Sequence, residues 1–168
     1  MTSPSNADRT AQLISDLTDA GLTLAVAESL TGGAVVAELI RIPGASLVVR
    51  GGIVAYDTAL KHSLLAVSAE LLATHGPVHP DVAAAMAEGV RSALTIDGHP
   101  ADIGLATTGV AGPDPQGGAP VGLVFVAVTD AAGTVVSEHR FSGDRAAIRA
   151  AAADAVLTLL ADRLTTSS

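Results

Sequence analysis

The sequence predicts an α/β protein, a three-layer α/β/α sandwich on a mixed, mostly parallel sheet. Ala-rich stretches that favour helix alternate along the chain with Val-rich runs that favour strand. The composition, 49% hydrophobic and 15% charged, allows a sizeable core, although only 2% of residues are aromatic. Two of the strand-like runs show little alternation of apolar and polar residues, which is typical of a sheet covered on both faces.

The length of the chain, 168 residues, fits a single domain. Neither a repeat of fixed period nor an interdomain linker is evident. We expect an ordered core over residues 8–164, with small polar tails at 1–6 and 165–168. One domain over 1–168 is therefore the predicted organisation.

In the N-terminal half, apolar periodicity and the turn residues between the apolar runs define the elements. Asp57 and Ser68 are residue types that cap helices well. The predicted elements are a helix over 8–20, a buried strand over 23–27, a helix over 31–41, strand segments over 47–49 and 53–56 separated by two glycines, a helix from about 57–58 and a short helix from 68.

In the C-terminal half, Pro80 is placed to open a longer helix as its first residue. Buried strands are predicted over 102–107 and 121–129, and a more alternating edge or antiparallel strand over 134–141. Residues 142–144 cap a last helix. Its predicted inward residues are Ile148, Ala152, Ala155, Leu159 and Leu160.

Charge and residue usage exclude several classes of function. The net charge of −8 and the absence of a basic run argue against a nucleic-acid partner. The chain has no cysteine, so disulfides and thiolate chemistry are excluded. No signal-peptide core and no apolar run of about 18 residues is present, so we expect a cytoplasmic protein without membrane contact.

The segment VAESLTGG, residues 26–33, passes from a buried strand into a helix. A hydroxyl on Ser29 could point into the crevice beyond the strand, where ligands gather in open α/β sheets. Gly32 and Gly33 allow close backbone approach, and amides near them are candidate oxyanion donors. The alternative is that Ser29 or Thr31 only caps the helix.

Lys61 is the only lysine, beside eight arginines. Its amine can be deprotonated, whereas a guanidinium cannot in practice. As a base at neutral pH it would need a pKa lowered to roughly 7–8 by burial, and its apolar flanks favour that. The alternative is a solvated lysine. Tyr56, the only tyrosine, could bond this amine or a ligand, or simply pack its ring at a strand end.

Two further segments carry polar groups. Residues 107–120 form a Gly/Pro-rich loop after a buried strand, and this loop has neither a P-loop nor a GxGxxG pattern. Arg145 and Arg149 open the last helix, where they could bind a phosphate or pair with Asp144 or another acid. His75 and His79 are separated by helix breakers, so we predict no metal site.

Four motifs together carry a family resemblance. AESLTGG (27–33), GGIVAYDTALKHSLLAV (51–67), ATTGVAGPDPQGGAPVGLVFVAV (106–128) and FSGDRAAIR (141–149) occur in the order and at about the spacing of the CinA C-terminal domain family. The chain resembles that family from about residue 8 to residue 164.

The resemblance implies hydrolysis of the carboxamide of nicotinamide mononucleotide, without metal or cofactor. It implies Ser29 as nucleophile, Lys61 as base and Tyr56 beside them. A phosphate role for Arg145 is our own hypothesis. The alternatives are a non-catalytic nucleotide-binding module and an amidase for another carboxamide. A homo-oligomer is expected. The implied pocket positions are Thr31, Gly32, Gly33, Thr108, Gly109 and Gly112.

Overall fold

A computed structural model describes residues 6–166, so most of both predicted tails, 1–5 and 167–168, lies outside the described residues. The strands are β1 Leu24–Glu28, β2 Val49–Val54, β3 Ile103–Gly109, β4 Leu123–Asp130 and β5 Gly133–Arg140. The helices are α1 Asn6–Ala20, α2 Ala34–Ile40, α3 Thr58–Leu65, α4 Ala69–His75, α5 Pro80–Ala93 and α6 Arg145–Thr166.

The five strands form one mixed sheet in the order β2-β1-β3-β4-β5. β1 is parallel to both of its neighbours, and the β3–β4 and β4–β5 pairs are antiparallel. The predicted mixed sheet and the antiparallel edge strand β5 are thus confirmed. Glu28 is in register with Val54 and with Thr107, so the carboxyl ends of the three parallel strands lie side by side.

Helices cover both faces of the sheet, as predicted. Helices α1, α2 and α6 pack on one face and α3, α4 and α5 on the other. The side chains on the two faces differ in size. Large residues face α6 and its neighbours, for example Leu24, Val26, Ile103, Leu105, Val124 and Val126. Small residues predominate on the α5 face, including Ala25, Ala27, Gly104, Ala106 and Ala127.

The small residues let α5 approach its neighbours closely. A Cβ added to Gly104 of β3 would lie 1.9 Å from the main-chain oxygen of Ala87 in α5. A Cβ on Gly89 of α5 would lie 1.9 Å from the main-chain oxygen of Leu65 in α3. No side chain fits at either position without movement of backbone. Helix α5 is therefore held tightly between the sheet and α3.

Three predicted details are wrong. Two glycines were expected to separate strand segments at 47–49 and 53–56, but both lie inside β2. Gly52 is needed there because a Cβ would lie 2.4 Å from Val36 Cγ2. Helix α2 begins at Ala34 and not at 31, since the preceding residues form a turn. On α6, Ala155 and Leu159 are half-buried at the border of the inward face, which consists of Ile148, Ala152, Ala153, Val156, Leu157 and Leu160.

Within residues 6–166, no helix has the length and apolar character needed to cross a lipid bilayer.

Candidate active site

The candidate site lies where the three parallel strands end. Ser29 follows β1, Ala55 follows β2, and Gly109 is the last residue of β3. The main-chain N–H of Ser29 donates to Thr107 O at 3.1 Å, and that of Ala55 donates to Glu28 O at 2.8 Å. These bonds continue the ladder just past the strand ends, so the chain leaves the sheet with Ser29 in a fixed position.

Lys61 reaches Ser29 from the end of the first turn of α3. Its Nζ donates to Ser29 Oγ at 2.9 Å and to the main-chain oxygen of Ala55 at 2.7 Å. The side chain of Lys61 is buried, with the residue only 1% exposed, and Ser29 is 8% exposed. The alternative of a solvated lysine is therefore wrong. Two residues separated by 32 positions in sequence form a hydroxyl–amine pair out of bulk water.

Burial changes the proton affinity of this amine. Desolvation lowers the pKa of Lys61 from its ordinary value of 10.5 to about 8, and the negative charge of Asp57 opposes that change. At pH 7 roughly one lysine in ten is then neutral, compared with fewer than about one in a thousand for a solvated lysine. A neutral amine beside a hydroxyl can accept its proton, as a general base requires.

Asp57→Asn should lower the pKa of Lys61 further. Asp57 caps α3 by accepting from the N–H of Ala59 at 2.8 Å, and Asn caps about as well, so only the charge changes. Because Lys61 is the only lysine, ¹³C-lysine labelling gives a single side-chain resonance. NMR titration should place its midpoint near 8 in the wild type and lower in the variant. Asp19→Asn makes the same charge change on α1 and should leave the Lys61 midpoint unchanged. Equal midpoints in all three proteins would show that the charge of Asp57 does not influence the pKa of Lys61.

A buried carboxylate, not a hydroxyl, caps helix α2. The N-cap residue Gly33 makes no side-chain capping bond. Glu28, fully buried at the end of β1, accepts from the main-chain N–H groups of Gly33, Val35 and Val36 at 2.8, 3.2 and 3.0 Å. The alternative that Ser29 or Thr31 caps the helix is therefore wrong. The hydroxyl of Ser29 is left to face Lys61.

Glu28→Ala should destabilise the fold strongly. Three buried amides would lose their acceptor, and each unsatisfied donor costs about 1–3 kcal/mol. We expect the free energy of unfolding in urea to fall by at least about 3 kcal/mol. Glu38→Ala on the same helix removes a more exposed ion pair with Arg41 and serves as the control, with an expected loss of about 1 kcal/mol or less. Similar losses in both variants would show that the cap is unimportant.

The loop after Ser29 is also tied to β3 and α6. Thr31 is fully buried, and its Oγ1 lies 2.8 Å from Thr107 Oγ1. Arg149 of α6 donates through Nε to Leu30 O at 2.9 Å and through Nη2 to Thr31 O at 2.8 Å. These contacts come from elements remote in sequence, and they hold the loop on the side opposite Lys61's helix.

The hydrogen bonds of the loop decide which amides could stabilise an oxyanion. Gly32 N–H donates to Ser29 O at 3.2 Å, and Gly33 N–H is taken by Glu28. The amides of both predicted glycines are thus committed. Within the described chain, the structure gives no acceptor for the main-chain N–H groups of Leu30 and Thr31. Leu30 also lines the cleft beside Ser29.

A further main-chain N–H near the site belongs to the end of β3. Val110 faces β4, because its N–H donates to Leu123 O and its oxygen accepts from Gly122. Successive residues of a strand direct their main-chain groups to opposite sides. Gly109 therefore directs its N–H toward the β1 side, the side on which Thr107 O accepts from Ser29. Among the described residues, the main-chain N–H groups of Leu30, Thr31 and Gly109 are thus the candidates for holding an oxyanion.

Tyr56 and Arg145 close the rim of the site. Tyr56 is 60% exposed, and its hydroxyl accepts from Arg145 Nη2 at 2.9 Å. Arg145 Nη1 donates to Gly112 O at 2.6 Å. Among residues 6–166, Arg145 makes no ion pair, and Asp144 instead accepts a hydrogen bond from Ala147 N–H. The alternative that Arg145 pairs with Asp144 or another acid is therefore wrong. The Arg145 guanidinium brings one positive charge to the rim.

A small polar cleft of about 70 Å³ connects these groups. Its lining residues are Ser29, Leu30, Tyr56, Gly109, Val110, Ala111, Gly112, Asp114, Gln116 and Arg145. The other predicted pocket positions lie behind it: Thr31, Gly32 and Gly33 shape the loop that follows Ser29. Thr108 is also behind it, since its Oγ1 donates to Pro77 O at 2.6 Å and ties β3 to the segment before α5.

Sequence reasoning missed several members of this site. Glu28 carries a usable signal, because it is a charged residue closing an apolar strand directly before a helix start, where acids are favoured. For Arg149 the sequence suggests a phosphate ligand or a partner of Asp144 or another acid, and neither describes its contacts with the carbonyl oxygens of Leu30 and Thr31. Asp114 and Gln116 have no local pattern that marks them, since their place in the cleft depends on how the 113–120 loop folds back.

Within the part of the chain that the structure describes, no three His, Asp or Glu side chains are grouped so that they could hold a metal ion. His79 instead caps α5, since its Nδ1 accepts from Asp81 N–H at 3.3 Å, and its ring stacks on that of His75 with centroids 4.2 Å apart.

Solved structures of high similarity share this fold. The competence/damage inducible protein CihA from Agrobacterium tumefaciens superposes with a TM-score of 0.87 at 34% sequence identity, covering 98% of this chain and 99% of that one. A competence-damaged protein (CinA) superfamily protein from Klebsiella pneumoniae gives a TM-score of 0.90 at 29% identity, covering 97% and 99%.

Sequence comparison gives the same relationship. A CinA-like protein of Frankia casuarinae is 50% identical over 138 residues, 82% of this chain and 31% of that protein. A CinA-like protein of Geobacter sulfurreducens is 44% identical over 150 residues, 88% of this chain and 35% of that protein. The chain thus spans about one third of the length of these curated relatives. Residues 6–164 match the CinA C-terminal domain. The chain belongs to the CinA C-terminal domain family.

Proposed function

We propose that the chain is a nicotinamide-nucleotide amidase, which converts nicotinamide mononucleotide and water into nicotinate mononucleotide and ammonia. The observation that carries the proposal is the 2.9 Å contact between Lys61 Nζ and Ser29 Oγ in a buried setting. Family membership supports an acyl-transfer site of this kind, and the choice of substrate rests on the resemblance of the four motifs.

In the first half-reaction, neutral Lys61 takes the proton of Ser29 Oγ as this oxygen attacks the carboxamide carbon. The negative charge that develops on the carbonyl oxygen is stabilised by the main-chain N–H groups of Leu30 and Gly109. The C–N bond then breaks, and the Lys61 ammonium returns its proton to the departing nitrogen. Ammonia leaves, and the acyl group stays on Ser29 as an ester.

In the second half-reaction, Lys61 takes a proton from water, whose oxygen attacks the ester carbon. The C–Oγ bond breaks, the proton passes back to Ser29, and the acid is released. The chemistry is covalent catalysis with lysine in the place of the usual histidine base. The proposed steps use side chains and main-chain N–H groups of the protein together with water, and they include no metal or cofactor.

Recognition of the substrate is assigned to the rim. The positive charge of Arg145, held by Tyr56 and Gly112, is suited to a phosphate. The carboxylate of Asp114 lines the same cleft and suits the positively charged pyridinium ring. We place the proposed reaction in the cytoplasm, and a homo-oligomeric enzyme remains the expectation.

The proposal is tested by incubating the purified chain with nicotinamide mononucleotide and following both products. Mass spectrometry should show nicotinate mononucleotide, with an equal amount of ammonia in a coupled assay. Nicotinamide riboside and nicotinamide, which lack the phosphate and the ribose phosphate, should be poorer substrates. If the chain hydrolyses another carboxamide faster than nicotinamide mononucleotide, that carboxamide replaces the mononucleotide as the proposed substrate.

Calorimetric binding of the mononucleotide without any turnover would contradict the enzymatic proposal. That result would favour the non-catalytic nucleotide-binding module.

A further inference from the structure

The side chain of Arg149 has a position that the proposed reaction does not yet explain. It lies in the first turns of α6, yet its guanidinium does not point into solvent. It bonds the carbonyl oxygens of the two residues that directly follow Ser29, at 2.9 and 2.8 Å. The three residues of this contact are separated by 118 and 119 positions in sequence, so the contact exists only in the folded chain.

The two donors used, Nε and Nη2, form the planar fork of the guanidinium. A fork of this kind fixes the direction of two acceptors at once, which a lysine ammonium cannot do. Its acceptors are consecutive, so the fork fixes the orientation of both the Leu30–Thr31 and the Thr31–Gly32 peptide planes. In a trans peptide the C=O and N–H point in opposite directions. Holding Leu30 O against α6 therefore directs the Thr31 N–H away from α6.

Arg149 also explains why the loop leaves amides free. A helix that started at Leu30 would consume these carbonyls in i to i+4 bonds and would point its first amides along the helix axis. The turn at 30–33 is kept out of the helix, with Gly32 and Gly33 both at positive φ of 61° and 100°. A cation that binds the loop carbonyls stabilises this non-helical form.

We propose that Arg149 is a positioning residue for Ser29. Its guanidinium holds Leu30 O and Thr31 O, and through them it fixes the path of the main chain directly after Ser29 and the direction of the free Thr31 N–H. The proposal rests on the proposed amidase function for its kinetic consequences. It differs from the expectation that Arg149 binds the substrate phosphate, because both donors of the fork are already bound to the protein.

Arg149→Met should lower kcat for nicotinamide mononucleotide by about 10²-fold, the cost typical of a displacement of about 1 Å in a catalytic group. The KM should change little. Nicotinamide riboside, without a phosphate, should lose activity by the same factor. Arg163→Met removes an arginine from the far end of the same helix and should leave kcat unchanged.

Two further variants address folding. If Arg149→Met fails to fold, Arg149→Lys serves as the test, because it keeps the charge but not the planar fork. It should retain only a small part of the wild-type kcat. Arg149→Ala should regain activity when millimolar guanidinium is added, whereas Ser29→Ala should not. Rescue of this kind would not follow from a general loss of stability.

The outcomes are distinct. An unchanged kcat in Arg149→Met and Arg149→Lys overturns the proposal. So does a loss confined to the KM of the phosphate-bearing substrate, which would make Arg149 a phosphate ligand.

A wild-type chain without turnover on any carboxamide would refute the proposed function alone. The rate at which a fluorophosphonate labels Ser29, read by intact mass, then decides the role of Arg149. Slower labelling in Arg149→Met supports positioning, and equal labelling contradicts it.

Discussion

Lys61→Met is expected to lower kcat for the mononucleotide by at least about 10⁴-fold, a loss typical of removing one member of a nucleophile–base pair. Methionine fills a similar volume but cannot accept the proton of Ser29. In the wild type, kcat/KM should rise with pH through about 8, because burial lowers the pKa of Lys61 to that value and only the neutral amine acts as base. Activity that is flat between pH 6 and 9 would contradict this role.

The stability of the same variant separates loss of chemistry from loss of fold. The folded-state pKa of Lys61 lies below its unfolded-state value, so the unfolded chain binds more protons and wild-type stability rises with pH. Relative to Lys61→Met, the free energy of unfolding of the wild type should increase by about 2 kcal/mol between pH 7 and pH 9.5. Urea unfolding at the two pH values measures this difference, and an inactive variant that unfolds cooperatively at both rules out misfolding.

Ser29→Ala is expected to remove the covalent route completely. Without Oγ no ester forms, and residual hydrolysis can come only from water activated by Lys61. We expect kcat to fall by at least about 10⁴-fold, with KM changed much less, since the rim contacts remain. Rapid quench followed by intact-mass analysis should detect the acylated protein in the wild type and none in the variant.

Ser63→Ala is the matched control, since Ser63 is an exposed hydroxyl on α3. It should leave both the acylation and the turnover intact. Substantial hydrolysis by Ser29→Ala would assign the attack to water and make the serine a binding group.

The sequence marks both residues of the Ser29–Lys61 contact for physical reasons that are local, whereas the roles proposed for them come from the family resemblance. Ser29 lies at a strand-to-helix junction, and Lys61 stands out as a lone lysine with apolar flanks. The residues that support the pair could not be found in the same way. Arg149 acts on main-chain carbonyls, which every residue carries, so nothing in the sequence of the 29–33 loop specifies its partner.

The fold shows a similar division. Within residues 6–166, apolar periodicity and capping residues predicted the α-helices and four of the five strands to within a few residues, because those signals act over one or two turns. The glycines of β2 were misinterpreted as a break. The reason for Gly52 lies in another element, because a Cβ at that position would lie 2.4 Å from Val36 Cγ2 of α2. Close approaches between elements leave no trace in the local pattern.

The close seating of α5 between the sheet and α3 has a consequence for heat inactivation. The hydroxyl of Ser29 is held by the sheet and by the α6 side, and the amine of Lys61 belongs to the layer of α3 and α5. If one layer slid over the other by a fraction of a helical turn, the hydroxyl and the amine would separate while the hydrophobic core still excluded water. On warming, activity should therefore be lost at a lower temperature than the secondary structure. Gly89→Ala adds a methyl group that would push α3 outward, and it should increase the difference between these two temperatures.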